Sequence, residues 1–149
     1  MEIWIVGGII VAIMVYVSTK INRAAKEAYE QELFETDEFR IVKPEGFLIP
    51  VTENPAFAFE AYSKDFAEDT DEDINRCWIT VEAIDNVANE AFESENEGET
   101  RGASVKTFRK LVVSKKLKKS FQLEINLVQD HSEEYLGRVE MALASFRLT

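Results

Sequence analysis

Apolar residues follow two regimes along this chain. From Ile3 to Val17 they run almost unbroken (IWIVGGIIVAIMVYV), and Ile3 to Thr19 carries no charged side chain. At 1.5 Å per residue, residues 3–19 span about 25 Å as a helix, enough for the short end of a transmembrane segment. Trp4 and Tyr16 stand near its two ends, where aromatic rings favour the headgroup interface, and Lys20 can reach outward to lengthen the span. A cleaved signal peptide would carry basic residues before the apolar run and small ones after it. Here Met1-Glu2 precedes the run and Ser18-Thr19-Lys20-Ile21 follows it, so the helix is expected to be retained. Lys20, Arg23 and Lys26 follow the helix and no basic residue precedes it. The positive-inside rule therefore predicts an outside amino terminus and a cytoplasmic carboxy-terminal domain in the cell membrane. Gly7, Gly8 and Ala12 are the small residues of the segment. They form a stripe against which the helix of an integral membrane partner could pack closely.

Beyond the membrane segment the pattern changes period. Residues 20–34 (KINRAAKEAYEQELF) are good helix formers and predict a helical stalk, ending in an acidic linker near Glu38. Alternation then predicts strands at Phe39–Lys43, Phe47–Val51, Phe57–Tyr62, Cys77–Ile84, Val105–Val113 and Ser120–Val128. Phe121, Leu123, Ile125 and Leu127 should share one buried face. A short helix is expected from Asp85 to Phe92, followed by a loop through Gly102. A final helix should begin at the N-cap Ser132 and turn Leu136, Val139, Leu143 and Phe146 inward, before a short strand within Ser145–Leu148. The expected organisation is a transmembrane helix (1–19), a stalk and linker (20–38), and one soluble α+β domain (39–149), an antiparallel sheet flanked by helices.

Charge and chemistry narrow the functions. The 149 residues carry 28 acidic and 17 basic side chains, a net charge of −11 that argues against nucleic acid as a partner. Ser104–Phe121 holds Lys106, Arg109, Lys110, Lys115, Lys116, Lys118 and Lys119 and no acidic residue. The rest of the chain sets 10 basic against 28 acidic residues, a net of −18. Lys115, Lys116, Lys118 and Lys119 thus mark a basic hairpin end that can meet anionic lipid or an acidic partner, or can simply keep a sheet edge from aggregating. Asp69, Asp71 and Asp73 open like a calcium loop, but Ile74 replaces the turn glycine and Thr80 the bidentate glutamate, so no metal site is assigned. One cysteine and one histidine exclude a disulfide framework and most triads. Cys77 has no evident base beside it and reads as a core residue. No catalytic residue or cofactor can be named, and the chain is expected not to be an enzyme.

The Pro44-x-Gly46-Phe47 turn, the extended stretch around Asn54-Pro55, the antiparallel strands, the late basic hairpin and the terminal helix running into Ser145-Phe146-Arg147-Leu148 form an ordered pattern. It resembles the photosystem II extrinsic PsbP superfamily over about residues 39–149. The resemblance implies an α/β/α sandwich and an accessory, assembly or partner-binding role. Unlike the lumenal members of that superfamily, this domain is expected to be cytoplasmic and helix-anchored, and no metal motif carries over. The leading expectation is a single-pass, non-catalytic accessory or scaffolding subunit of a larger membrane complex, photosynthetic or respiratory by resemblance only. The alternative is a membrane-tethered binding module for a small ligand or divalent cation.

Overall fold

The apolar leader and the stalk are one helix. In the computed structural model, which describes residues 2–68, 73–85, 90–129 and 132–149 (side chains of residues 2–4 and 132 excepted), α1 runs from Glu2 to Ala28. At 1.5 Å per residue its 27 residues extend about 40 Å. It stops short of the expected stalk end because Leu33 and Phe34 belong to a strand: β1 (Glu32–Glu35) pairs antiparallel with β2 (Phe39–Lys43). Phe34 packs there against Phe39 and Phe59, with ring centroids 6.1 and 4.9 Å away. That contact gives residues 32–35 a tertiary reason to be extended, which outweighs their helix propensity.

Two antiparallel sheets follow. The smaller has the order β1-β2-β9, with β9 at Arg147–Leu148. The larger has the order β3-β4-β5-β8-β7-β6, formed by Phe47–Leu48, Phe59–Ser63, Cys77–Ile84, Lys119–Val128, Ala103–Ser114 and Phe92–Thr100. The small sheet and α2 (Ser132–Ser145) cover one face of the large sheet. Between them lies the core of Phe39, Ile41, Phe47, Phe59, Cys77, Ile79, Val81, Phe121, Leu123, Ile125, Leu127, Tyr135, Val139 and Phe146. Phe121, Leu123, Ile125 and Leu127 are all buried, as their spacing requires.

Three elements differ from the sequence reading. The stretch expected as a loop after Glu93 is β6, a nine-residue strand on the sheet edge. Its glutamates are poor strand formers, but Glu93 and Glu95 meet Lys110 and Lys106 of β7, and such cross-strand ion pairs reward extension. The helix expected over Asp85–Phe92 yields Phe92 to β6; residues 86–89 lie outside the described residues. On α2 the inward stripe is Tyr135, Val139, Ala142 and Phe146, while Leu136 is 40% exposed. The stripe is set by Tyr135, which packs edge-on against Phe47 at 6.0 Å and turns Leu136 outward.

The join between α1 and the domain is built from polar groups. Lys43, only 1% exposed, donates from Nζ to the Ala28 carbonyl at 2.6 Å. Gly46 N–H donates to the Tyr29 carbonyl at 2.7 Å, and Lys64 lies over the Tyr29 ring. Gly46 sits at φ +83°, and a Cβ there would come within 3.3 Å of the Arg138 guanidinium. Glycine suits the position on both counts.

Candidate interaction surfaces

Three surfaces remain uncovered. The first is α1. Ile5–Ala28 is long and apolar enough to cross a membrane, with a mean hydropathy of 1.8, and none of it is buried within the protein. Thr19 donates its hydroxyl to the Val15 carbonyl at 2.8 Å, so even this polar side chain is satisfied within the helix. A Cβ at Gly7 or Gly8 would meet nothing within 4 Å. With Ala12 these two leave a shallow strip on the helix; every other residue between Ile3 and Val17 is Val-sized or larger. Tyr16 and Lys20 are exposed; the Trp4 side chain lies outside the described residues.

The second surface is the face of the large sheet turned away from α2, part of which is closed by the loop at Ile74 over a small cluster of Ala103, Val105 and Val128 beside Trp78. Register places its side chains in rows across four strands. Tyr62, Trp78, Asn126 and Thr107 form one row, Glu60, Thr80, Glu124 and Arg109 the next, and Glu82, Gln122 and Leu111 the third. Loop residues Asp73, Ile74 and Asn75 and the β6–β7 turn at Arg101 help enclose a groove of about 480 Å³. Trp78 and Tyr62 give it an aromatic floor. Arg109 Nε donates to Glu124 at 2.9 Å, Asn126 donates to the other Glu124 oxygen at 3.1 Å, and Thr107 donates to Asn126 at 2.7 Å. That chain of bonds holds Glu124, its one member that lines the groove. Tyr62 OH donates to Glu60 at 3.3 Å; burial first, and the neighbouring Glu60 charge second, hold the phenol above its ordinary value. A concave pocket with an aromatic base and a few polar groups suits a small ligand or a single side chain of a partner.

Of these groove residues, Asp73, Ile74 and Thr80 enter the sequence reading only as parts of a broken calcium-like loop, and that reading follows the inward phase of each strand rather than the phase that carries Trp78 and Tyr62. The signal was present: Trp78 and Tyr62 occupy the outward phase of β5 and β4, where an isolated strand would carry polar residues.

The third surface is the β7–β8 turn. Of the seven basic residues in Ser104–Phe121, four are engaged within the fold. Lys106 binds Glu95, and this hydrogen bond is the main reason its pKa is raised. Arg109 binds Glu124, Lys110 donates to the Leu143 carbonyl at 2.6 Å, and Lys119 meets Glu38 at 3.2 Å. Lys119, expected with the other three lysines as a basic contact, is thus paired within the fold. Lys115, Lys116 and Lys118 are exposed and have no partner among the described residues, and Leu117 between them is 38% exposed. The turn itself is ordered: Leu117 N–H donates to Ser114 Oγ at 3.2 Å, and Lys118 holds φ at +53°. A lysine in the left-handed region costs about 1–2 kcal/mol, which glycine would avoid.

The remaining candidates resolve simply. Cys77 is fully buried, and desolvation raises its thiol far above the ordinary value, so it is no nucleophile. Among the described residues no three His, Cys, Asp or Glu side chains gather as a metal ion requires. Asp69 and Asp71 of the broken calcium-like loop lie outside the described residues.

No family model and no curated protein matches the sequence. Solved structures do. The chain is similar to the Ran-binding protein Mog1p of Saccharomyces cerevisiae, with a TM-score of 0.49 and 10% identity, over 80% of this chain and 96% of that one. It is also similar to cyanobacterial PsbP (CyanoP) of Synechocystis, with a TM-score of 0.42 and 10% identity, over 81% and 94% of the two chains.

Proposed function

We propose that this protein is a single-pass, non-catalytic accessory subunit of a membrane complex, anchored by α1 and carrying a binding domain on the cytoplasmic side. The observation that carries the reading is the complete exposure of an apolar helix. Ile5, Val6, Ile9, Ile10, Val11, Ile13, Met14, Val15 and Val17 are all exposed. Burying a side chain of this size is worth roughly 1.5–3 kcal/mol. Leaving nine of them in water forgoes an amount comparable to the whole stability of a domain, about 5–15 kcal/mol. A bilayer removes that penalty, and the basic residues Lys20, Arg23 and Lys26 after the helix support a cytoplasmic domain by the positive-inside rule. The strip of Gly7, Gly8 and Ala12 supports helix-to-helix contact with an integral membrane partner. Gly8→Leu should leave insertion intact but lose co-purification of the partner in mild detergent, whereas Ile10→Leu should retain it. Equal recovery with both variants would reduce α1 to an anchor.

The groove favours a second reading of the domain, as a binding module for a small ligand. Its aromatic floor and the held Glu124 carboxylate support that role, whereas no described cluster supports a divalent cation. Trp78→Ala should abolish the heat of binding of any ligand that titrates into the wild-type protein; an unchanged heat would place that ligand elsewhere.

A further inference from the structure

The lysines of the β7–β8 turn cap two interior strands of the large sheet and do not lie on its outer strands β3 and β6, although β6 accompanies β7 only as far as Leu111. They do not balance the fold's own carboxylates either, since Lys106, Arg109, Lys110 and Lys119 do that and Lys115, Lys116 and Lys118 have no described partner. What remains is a rigid protrusion of three free ammonium groups around a half-exposed leucine, on a chain otherwise strongly acidic.

Its position in the fold says what it can touch. The α1 junction is clamped by Lys43 and Gly46, beside Phe47 and its strand partner Ser63. Ser63 Oγ accepts from Cys77 N–H, and Cys77 pairs with Leu127 at the far end of β8. The lysine turn precedes Lys119, at the opposite end of the same ten-residue strand. At about 3.3 Å per residue the two poles are about 30 Å apart, several times the Debye length of about 8 Å at physiological salt. Headgroups at the α1 junction itself therefore exert little pull on the turn.

We propose that Lys115, Lys116, Leu117 and Lys118 form a docking tip for an acidic protein surface held away from the membrane, with Leu117 as its apolar anchor. The distance argument rests on α1 being the membrane anchor. Charge complementarity selects the partner: the three cations attract a carboxylate-rich patch, while the negative charge of the remaining chain repels nucleic acid and restricts an acidic partner to the tip. A small charged contact with one apolar residue at its centre gives fast, salt-sensitive association.

The test uses the full chain in phosphatidylcholine nanodiscs, with a fluorescein-labelled, glutamate-rich peptide bearing a central leucine as probe. Lys118 is left in place so that the turn keeps its backbone, and thermal melting checks the fold of each variant. Lys115→Glu/Lys116→Glu should weaken peptide binding by about tenfold or more, and binding should fall steeply with added salt. Leu117→Ser should weaken it without changing the salt dependence, and Lys119→Gln should leave it unchanged. Absent wild-type binding, or equal binding by the charge-reversed variant, overturns the proposal. Tip-dependent binding of phosphatidylglycerol vesicles that exceeds peptide binding also overturns it and assigns the tip to a lipid surface. Loss of α1 from membranes would defeat the anchoring reading alone, since peptide binding is read separately.

Discussion

Lys43 Nζ donates to the Ala28 carbonyl at 2.6 Å, so a buried ammonium caps the carboxy-terminal end of an otherwise uncovered helix. Helix termini leave carbonyls without intrahelical partners, and a cation there also meets the negative end of the helix dipole. Burial pulls the Lys43 pKa down, whereas Glu32 and Glu30 act the other way. The contact thus holds helix and domain together against a desolvation cost. Lys43→Met should change global stability by only about 1 kcal/mol, because relief of that cost offsets a charged hydrogen bond worth about 1.5–3 kcal/mol. The junction should loosen all the same. Hydrogen exchange at the Gly46 amide, which donates to Tyr29, should quicken in the variant; unchanged protection would mean that Lys43 does not organise the join.

Gly46 offers an independent probe of the same join. At φ +83°, any L-residue is strained, and a Cβ would press on Arg138. Gly46→Ala should destabilise the domain by about 1–2 kcal/mol in urea denaturation. A neutral substitution would show that the turn relaxes without cost.

The core should respond asymmetrically across β8. Leu123 is fully buried, and its neighbour Gln122 faces the groove. Leu123→Ala should cost about 2–5 kcal/mol, and Gln122→Ala less than about 0.5 kcal/mol. Equal costs in chemical denaturation would contradict the register.

Alkaline stability follows from groups that hold their protons in the fold: Cys77, Tyr62 and Tyr135, together with Lys106 beside Glu95. Burial raises Cys77 above the ordinary thiol value of 9.0, and raises Tyr62 and Tyr135 above 10.0. Above about pH 9 the unfolded chain releases these protons first, so the folded state binds more of them and stability falls as pH rises. Lys43 works in the opposite direction: with its folded pKa lowered, the unfolded chain binds the extra proton up to about 10.5. Cys77, fully buried and the most strongly shifted of these groups, sets the direction. The urea midpoint should hold steady up to about pH 9 and decline beyond it, and Cys77→Ala should flatten the first part of that decline. An identical slope in the variant would remove Cys77 from the account.

Much of this architecture was legible in period alone. Phe121, Leu123, Ile125 and Leu127 alternate cleanly, and their burial followed. Lys43 also stood in the inward phase with Phe39 and Ile41, a hint of a buried lysine with a polar task. What period could not show was long-range pairing. Glu93–Glu99 reads as a loop until Lys106 and Lys110 are placed beside it. Leu33 and Phe34 read as helix until Phe39 and Phe59 give the Phe34 ring its place. The groove was hidden for the same reason, since its rows form only when β4, β5, β8 and β7 come into register. Within the basic segment, local sequence could not separate Lys119, bound to Glu38 from 81 residues away, from its free neighbours.

The membrane role of α1 is tested most directly by extracting native membranes with alkaline carbonate and weighing the retained protein by intact mass spectrometry. The account predicts that the chain stays in the membrane pellet with residues 2–28 still attached, and that Ile10→Asp/Ile13→Asp releases it. Release of the wild-type chain with its helix intact, or recovery only of a domain cut off after the apolar run, would contradict it.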